Sequence, residues 1–261
     1  MHIFLLPLLL LAPWAMPPQA ATAESRTASV FEVTIDGAPQ RVLFVSRETP
    51  PPAAVVVMFP GGDGIIGIAE DGTIAKRGNF LIRTRPNWLA QGFAFAAVDA
   101  ARSRAGRSGD RVGKPNQRAI AAIVAEIRKR TDAPIWLLGT SAGAPAAVAG
   151  AAALPPGAIR GVVISSPASA SNADTVFDVN LKRITVPVLI QIHKDDGCPA
   201  TPPRNAARIK SALAGSADVE IQEFTGGRPP QSVPCEAFAQ HGFFGIEDQV
   251  VAAAAAWIKQ R

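Results

Sequence analysis

One stretch constrains this chain more than any other. An apolar run, Pro134 to Leu138, leads directly into Gly139-Thr140-Ser141-Ala142-Gly143, and an Ala-rich run to Ala153 follows. The order reads as strand, sharp turn, helix. A serine at the tip of such a turn is held in a strained backbone conformation, and only small residues two before and two after it let strand and helix pass closely. Its hydroxyl stands clear of the sheet, and the start of the following helix offers a backbone N–H to a developing oxyanion. Short strings of the form G-x-S-x-G also arise by chance, so the flanking strand and helix give this one its weight.

The rest of the chain sets the frame for that turn. With 261 residues and 48% hydrophobic content, it is long enough for one buried α/β core and too short for two ordinary enzyme domains. Met1 to Leu11 is an apolar stretch too short to span a bilayer, and Ala21-Thr22-Ala23 follows as a small-x-small cleavage pattern. Residues 1–23 are therefore expected to be a secretory signal peptide, with residues 24–261 forming one exported domain, periplasmic or secreted. Export favours a disulfide, and Cys198 and Cys235 are the only two cysteines. Two cysteines with no histidine at ligand spacing make no zinc site. The net charge of +5 is concentrated between Lys76 and Arg111, without interleaved aromatics and with no Tyr anywhere, which argues against a nucleic-acid binder.

Alternating signals fill the domain. Val30 to Ile35 and Arg41 to Val45 flank Asp36-Gly37-Ala38-Pro39 as a β-hairpin. Ala54 to Phe59 is a strand buried on both faces, ending in Pro60-Gly61-Gly62-Asp63-Gly64. Asn79 to Gln91 reads as a helix that Pro86 kinks or restarts, and Phe93 to Val98 as a strand ending at Asp99. Pro115 opens a helix to about Arg130. Beyond the Ser141 turn come strands at Ile159 to Ser165, Val186 to Ile192 and Val219 to Phe224, and helices at Pro203 to Leu213 and Ile246 to Gln260. This alternation predicts an α/β fold: a mostly parallel central sheet with helices on both faces and an antiparallel hairpin at its N-terminal edge. The connection from Ser166 to Thr185 is too short for a large cap domain.

A serine hydroxyl needs a base, and the chain has three histidines. His2 falls in the leader and His193 ends a strand. His241 lies in a loop just before the terminal helix, where a base approaches the C-terminal edge of a parallel sheet, and is the expected general base. The base needs a carboxylate to fix its tautomer. Asp196 is the first choice and Asp195 the second, both following the strand that ends at Ile192, with Asp174 and Asp178 as the remaining candidates. Ala142 N–H is one expected oxyanion donor, and Gly62 is expected to bring the other. Arg83, Arg85, Arg102 and Arg104 follow elements whose ends border such a site, and one of them is a candidate to hold a substrate carboxylate.

Pro60-Gly61-Gly62, the Ser141 turn, the Asp195/Asp196 pair and His241-Gly242-Phe243 together resemble the α/β-hydrolase superfamily across nearly all of the mature chain. The likeness is greatest to small exported hydrolases of the dienelactone-hydrolase and esterase type, which lack a large cap. Two departures matter. Pro60 stands where many esterases carry histidine, and the nucleophile is serine where dienelactone hydrolases proper use cysteine, which argues against that reaction. The resemblance and the residues imply a serine hydrolase acting through an acyl-enzyme on a small-molecule acyl substrate, an ester first. No cofactor, metal, nucleic acid or lasting membrane insertion is implied. A short-peptide or amide hydrolase on the same residues is the enzymatic alternative, and a non-catalytic binding protein on the same scaffold is the alternative of another class.

Overall fold

The computed structural model describes residues 25–106 and 109–261, so the expected signal peptide lies outside the described residues. Among the described residues, eight strands form one sheet: β1 (Arg26–Ile35), β2 (Ala38–Arg47), β3 (Val55–Phe59), β4 (Ala94–Val98), β5 (Ile135–Thr140), β6 (Gly161–Ser165), β7 (Val188–His193) and β8 (Val219–Phe224). Their spatial order is β1-β2-β4-β3-β5-β6-β7-β8. β1 pairs antiparallel with β2, and β2 antiparallel with β4, while every pair from β4 onward is parallel. The helices are α1 (Phe80–Arg83), α2 (Arg85–Ala90), α3 (Lys114–Arg128), α4 (Ala144–Ala153), α5 (Ala206–Ala212) and α6 (Glu247–Lys259).

The central strands read as unbroken apolar runs because each face meets a helix layer. Val55, Val57 and Phe59 of β3, with Ile135 and Leu137 of β5, join the core under α3, α4 and α5. The alternate residues Val56, Met58, Trp136 and Leu138 join the opposite core, which α2 and α6 cover. α4 is apolar on every side and accordingly buried from Ala144 to Gly150. Gly150 lets it close on α3 and the sheet, since a Cβ there would lie 2.8 Å from Ile120 Cγ2 and 3.1 Å from Leu137 Cδ1.

Three local readings are refined. The hairpin turn is two residues rather than four: Asp36 and Gly37 both take positive φ, the conformation that matches strand twist, and Ala38 and Pro39 join β2. The helix expected from Asn79 to Gln91 restarts at Thr84. Pro86 has no N–H for the Ile82 carbonyl, which instead accepts from Arg85 Nε at 2.7 Å. β7 begins at Val188 rather than Val186, because Pro187 offers no N–H to the ladder. The connection from β6 to β7 carries only short 3₁₀ turns at Val176–Asp178 and Leu181–Arg183, so no cap domain arises there.

Between β3 and α1 the chain makes an excursion over the C-terminal edge of the sheet. Asp99, buried at the end of β4, pins it by accepting from Ile66 N (2.7 Å), Gly67 N (3.2 Å) and Ile68 N (3.0 Å). Asp99→Asn keeps one acceptor oxygen and turns an N–H donor toward the third amide. It is expected to cost about 1–3 kcal/mol in urea unfolding.

Candidate active site

Ser141 sits at φ 53°, in the left-handed region that non-glycine residues rarely enter, at the junction of β5 and a 3₁₀ turn (Ser141–Gly143) that runs into α4. The flanking glycines are sterically required. A Cβ on Gly143 would lie 2.0 Å from the Phe59 carbonyl oxygen, and one on Gly139 would lie 2.5 Å from the Gly143 carbonyl oxygen. Gly61, in the loop after β3, passes equally close: a Cβ there would lie 2.9 Å from Ser141 Cβ. Three segments therefore converge on the serine at distances that only glycine permits.

His241 and Asp196, remote in sequence, meet in the interior. His241 Nδ1 lies 3.0 Å from Asp196 Oδ2, with both residues buried. The other carboxylate oxygen accepts from Cys198 N at 2.9 Å. Thr201, buried and five residues past Asp196, donates its hydroxyl to Asp196 Oδ2 at 2.9 Å and also lies 3.0 Å from His241 Nδ1. Sequence reasoning passed over Thr201, because a lone threonine in a Pro-rich turn carries no signal of its partner. The His241 backbone is held as well: Ser166 Oγ donates to its carbonyl at 2.9 Å, and Arg83 donates to the next carbonyl, that of Gly242. These contacts occupy the Nδ1 side of the ring, and Nε2 has no hydrogen-bond partner among the described residues.

The loop after β3 offers backbone donors. Gly62 takes φ 62°, and Gly61 O accepts from Gly64 N at 3.2 Å, closing a tight turn. The amides of Gly61, Gly62 and Asp63 donate to no described residue. Ala142, within the first helical turn after β5, has no intrahelical acceptor for its N–H. Arg111 supports this loop from beneath: its guanidinium, on a residue only 8% exposed, donates to Gly62 O at 2.8 Å. Burial lowers the Arg111 pKa, while the charges of Asp110, Asp63 and Asp174 oppose that shift. Burial likewise pushes the Asp110 carboxyl up, against the pull of Arg111. Burial also acts to raise Asp63, but hydrogen bonds from Lys76 and the Ile65 amide outweigh it and hold that carboxyl below its ordinary value.

Ser141, His241, Gly61 and Gly62 line one cleft of about 330 Å³, with Ile66, Phe80 and Phe238 as apolar wall and Asp63, Lys76 and Glu236 as charged groups. The far wall is the segment before His241, and the Cys198–Cys235 disulfide anchors it to the Asp196 loop, with the two Cα atoms 4.6 Å apart. Among the described residues, no group of three or more His, Cys, Asp or Glu is placed to hold a metal ion.

The remaining candidates have other partners. Asp195 is exposed. Asp174 accepts from the amides of Gly109 and Arg111, and Asp178 closes a capping box with Thr175. His193 is buried with both ring nitrogens engaged, Nδ1 accepting from Asp195 N and Nε2 facing Gly226 O. None of the four arginines proposed for a substrate carboxylate lines the cleft. Arg83 instead pairs with Glu247 at 3.0 Å and bonds the Gly78 and Gly242 carbonyls, binding α1 to the His241 loop and α6. Arg85 lies over Phe95, Arg104 reaches Ile35 O, and Arg102 approaches Gly67.

No family model and no curated protein matches the chain. Solved structures do. A cold-adapted esterase from an Arctic intertidal metagenomic library aligns with a TM-score of 0.59 at 15% identity, covering 95% of this chain and 99% of that one. A dienelactone hydrolase from Anabaena variabilis gives 0.63 at 14% identity, over 90% and 98% of the two chains. A sugar hydrolase from Lactococcus lactis gives 0.62 at 17% identity, again over 90% and 98%. The chain has the α/β-hydrolase fold that its sequence led us to expect.

Because the disulfide closes a long loop and clamps the Asp196 turn, the Cys198→Ser/Cys235→Ser double variant is expected to lose about 4 kcal/mol of stability on a chain-entropy basis. Urea unfolding of oxidised wild type beside the double variant measures it.

Proposed function

We propose that the chain is a serine hydrolase that cleaves carboxylic esters through Ser141, His241 and Asp196. The observation that carries the reading is the buried Asp196–His241 contact at 3.0 Å, which leaves Nε2 as the free ring nitrogen of a histidine sharing a cleft with a strained, half-buried serine. In this reading Ser141 Oγ attacks the ester carbonyl carbon while His241 Nε2 takes its proton. Asp196 stabilises the imidazolium, and Thr201 keeps the carboxylate oriented toward Nδ1. The carbonyl oxygen becomes an oxyanion that accepts from the amides of Ala142 and Gly62. The imidazolium returns the proton to the leaving alcohol, and water then repeats the sequence on the acyl-enzyme.

A cleft of about 330 Å³ lies at the small end of ligand pockets, and the absence of a cap between β6 and β7 leaves it open, so short acyl groups suit it best. Mature protein is expected to hydrolyse p-nitrophenyl acetate and butanoate faster than octanoate. Ser141→Ala should lose at least about 10³-fold of that activity, and a fluorophosphonate should label Ser141 in the wild type. A folded wild type that neither turns over nor takes the label would instead point to a binding protein. Activity confined to amides of short peptides would move the substrate class.

Export is part of the same proposal, and the Cys198–Cys235 bond suits an oxidising compartment. The intact mass of protein recovered from the periplasm or medium of a bacterial host is expected to begin at Glu24. Recovery only in the cytoplasm with the leader attached would reject this.

A further inference from the structure

Asn79 closes the excursion after β3 and caps α1, its side-chain oxygen accepting from Leu81 N at 3.1 Å. Because the partner is an N–H, that bond identifies which end of the amide is oxygen and turns the Nδ2 end the other way. Nδ2 lies toward Gly61: a Cβ built on that glycine would be 3.4 Å from Asn79 Nδ2 and 2.9 Å from Ser141 Cβ. Nδ2 and the serine thus both lie beside Gly61, and Asn79 lines the cleft with Ser141, Gly61 and Gly62. Nδ2 donates to no described residue. An amide held at one end, with an unengaged donor at the other, presents a fixed dipole to the cleft beside Ser141.

We propose that Asn79 is a further catalytic residue, its Nδ2 giving the oxyanion a side-chain donor beside the backbone amides of Ala142 and Gly62. This rests on the serine-hydrolase reading above. The excursion that leaves the cleft at Pro60 returns to it at Asn79, so both ends of that loop line the same rim. A neutral donor that is already oriented costs no reorganisation as charge develops, so it favours the transition state over the ground state.

Two substitutions separate this role from helix capping. Asn79→Asp and Asn79→Ser both keep an oxygen that caps α1. The first replaces the donor with an acceptor, and the second, neutral but shorter, withdraws it from the cleft. With p-nitrophenyl acetate, kcat is expected to fall by about 10²-fold in both, with KM nearly unchanged. Affinity for a trifluoromethyl ketone, which forms a tetrahedral adduct, should fall in parallel. Urea midpoints near that of wild type would show that the cap survives. If both variants keep kcat within twofold of wild type, Asn79 only caps α1 and the assignment is overturned. A fall in Asn79→Asp alone would trace to the added charge and overturn it too. Wild type that is active, and inactive as Ser141→Ala, isolates the failure to Asn79. Wild type without serine-dependent turnover removes the hydrolase reading and this assignment together.

Discussion

At the end of β3 the Phe59 carbonyl and the backbone of Gly143 are so close that a single methyl carbon on Gly143 would sit 2.0 Å from the oxygen. Everything at the C-terminal edge of the sheet depends on that approach. It lets the start of α4, buried from Ala144 to Gly150, drop into the core and press the turn at Ser141 into its left-handed conformation. The burial of α4 offsets the strain, which is of order 1–3 kcal/mol for a non-glycine residue in that region. The same crowding brings Gly61 against Ser141, so the loop with the free amides is placed by contact with the serine itself.

Around this packed centre, each loop that borders the cleft is held by a buried or half-buried polar side chain acting on backbone. Asp99 gathers three amides of the excursion after β3. Arg111 holds the Gly62 carbonyl from below, while Ser166 and Arg83 hold those of His241 and Gly242. Asp196 binds an amide, a hydroxyl and an imidazole at once. Such groups are costly to bury alone, and once satisfied they resist the small displacements that a site of this kind cannot tolerate. The disulfide adds a covalent tie between the Asp196 turn and the cleft wall.

Legibility varied with the range of the interaction. The apolar runs Val55–Phe59 of β3 and Ile135–Leu138 of β5 announced strands because each lies between two helix layers, which only apolar side chains suit. The Ser141 turn was legible because sterics demand small residues at fixed offsets within a few positions. Pro86 signalled a break, and Pro187 moved a strand start, through the N–H each lacks. Arg83 misled: its sequence position borders a site, but its direction is set by Glu247, 164 residues away, and it serves the fold rather than the cleft.

The sequence by itself determined the alternation of strands and helices, the strained serine turn and the disulfide partners, and it singled out His241 ahead of His193 as the candidate base. Each of these follows from local pattern or from there being few residues of the required kind. Only the tertiary structure set Asp196, buried against His241, apart from the exposed Asp195, since adjacent residues on a turn point opposite ways. Thr201, Arg111 and Asn79 likewise became visible only in three dimensions. Thr201 and Arg111 each bond a neighbour that the fold brings close, while Asn79 turns its Nδ2 toward Gly61, and a single polar residue carries no periodicity or spacing by which a sequence could reveal it.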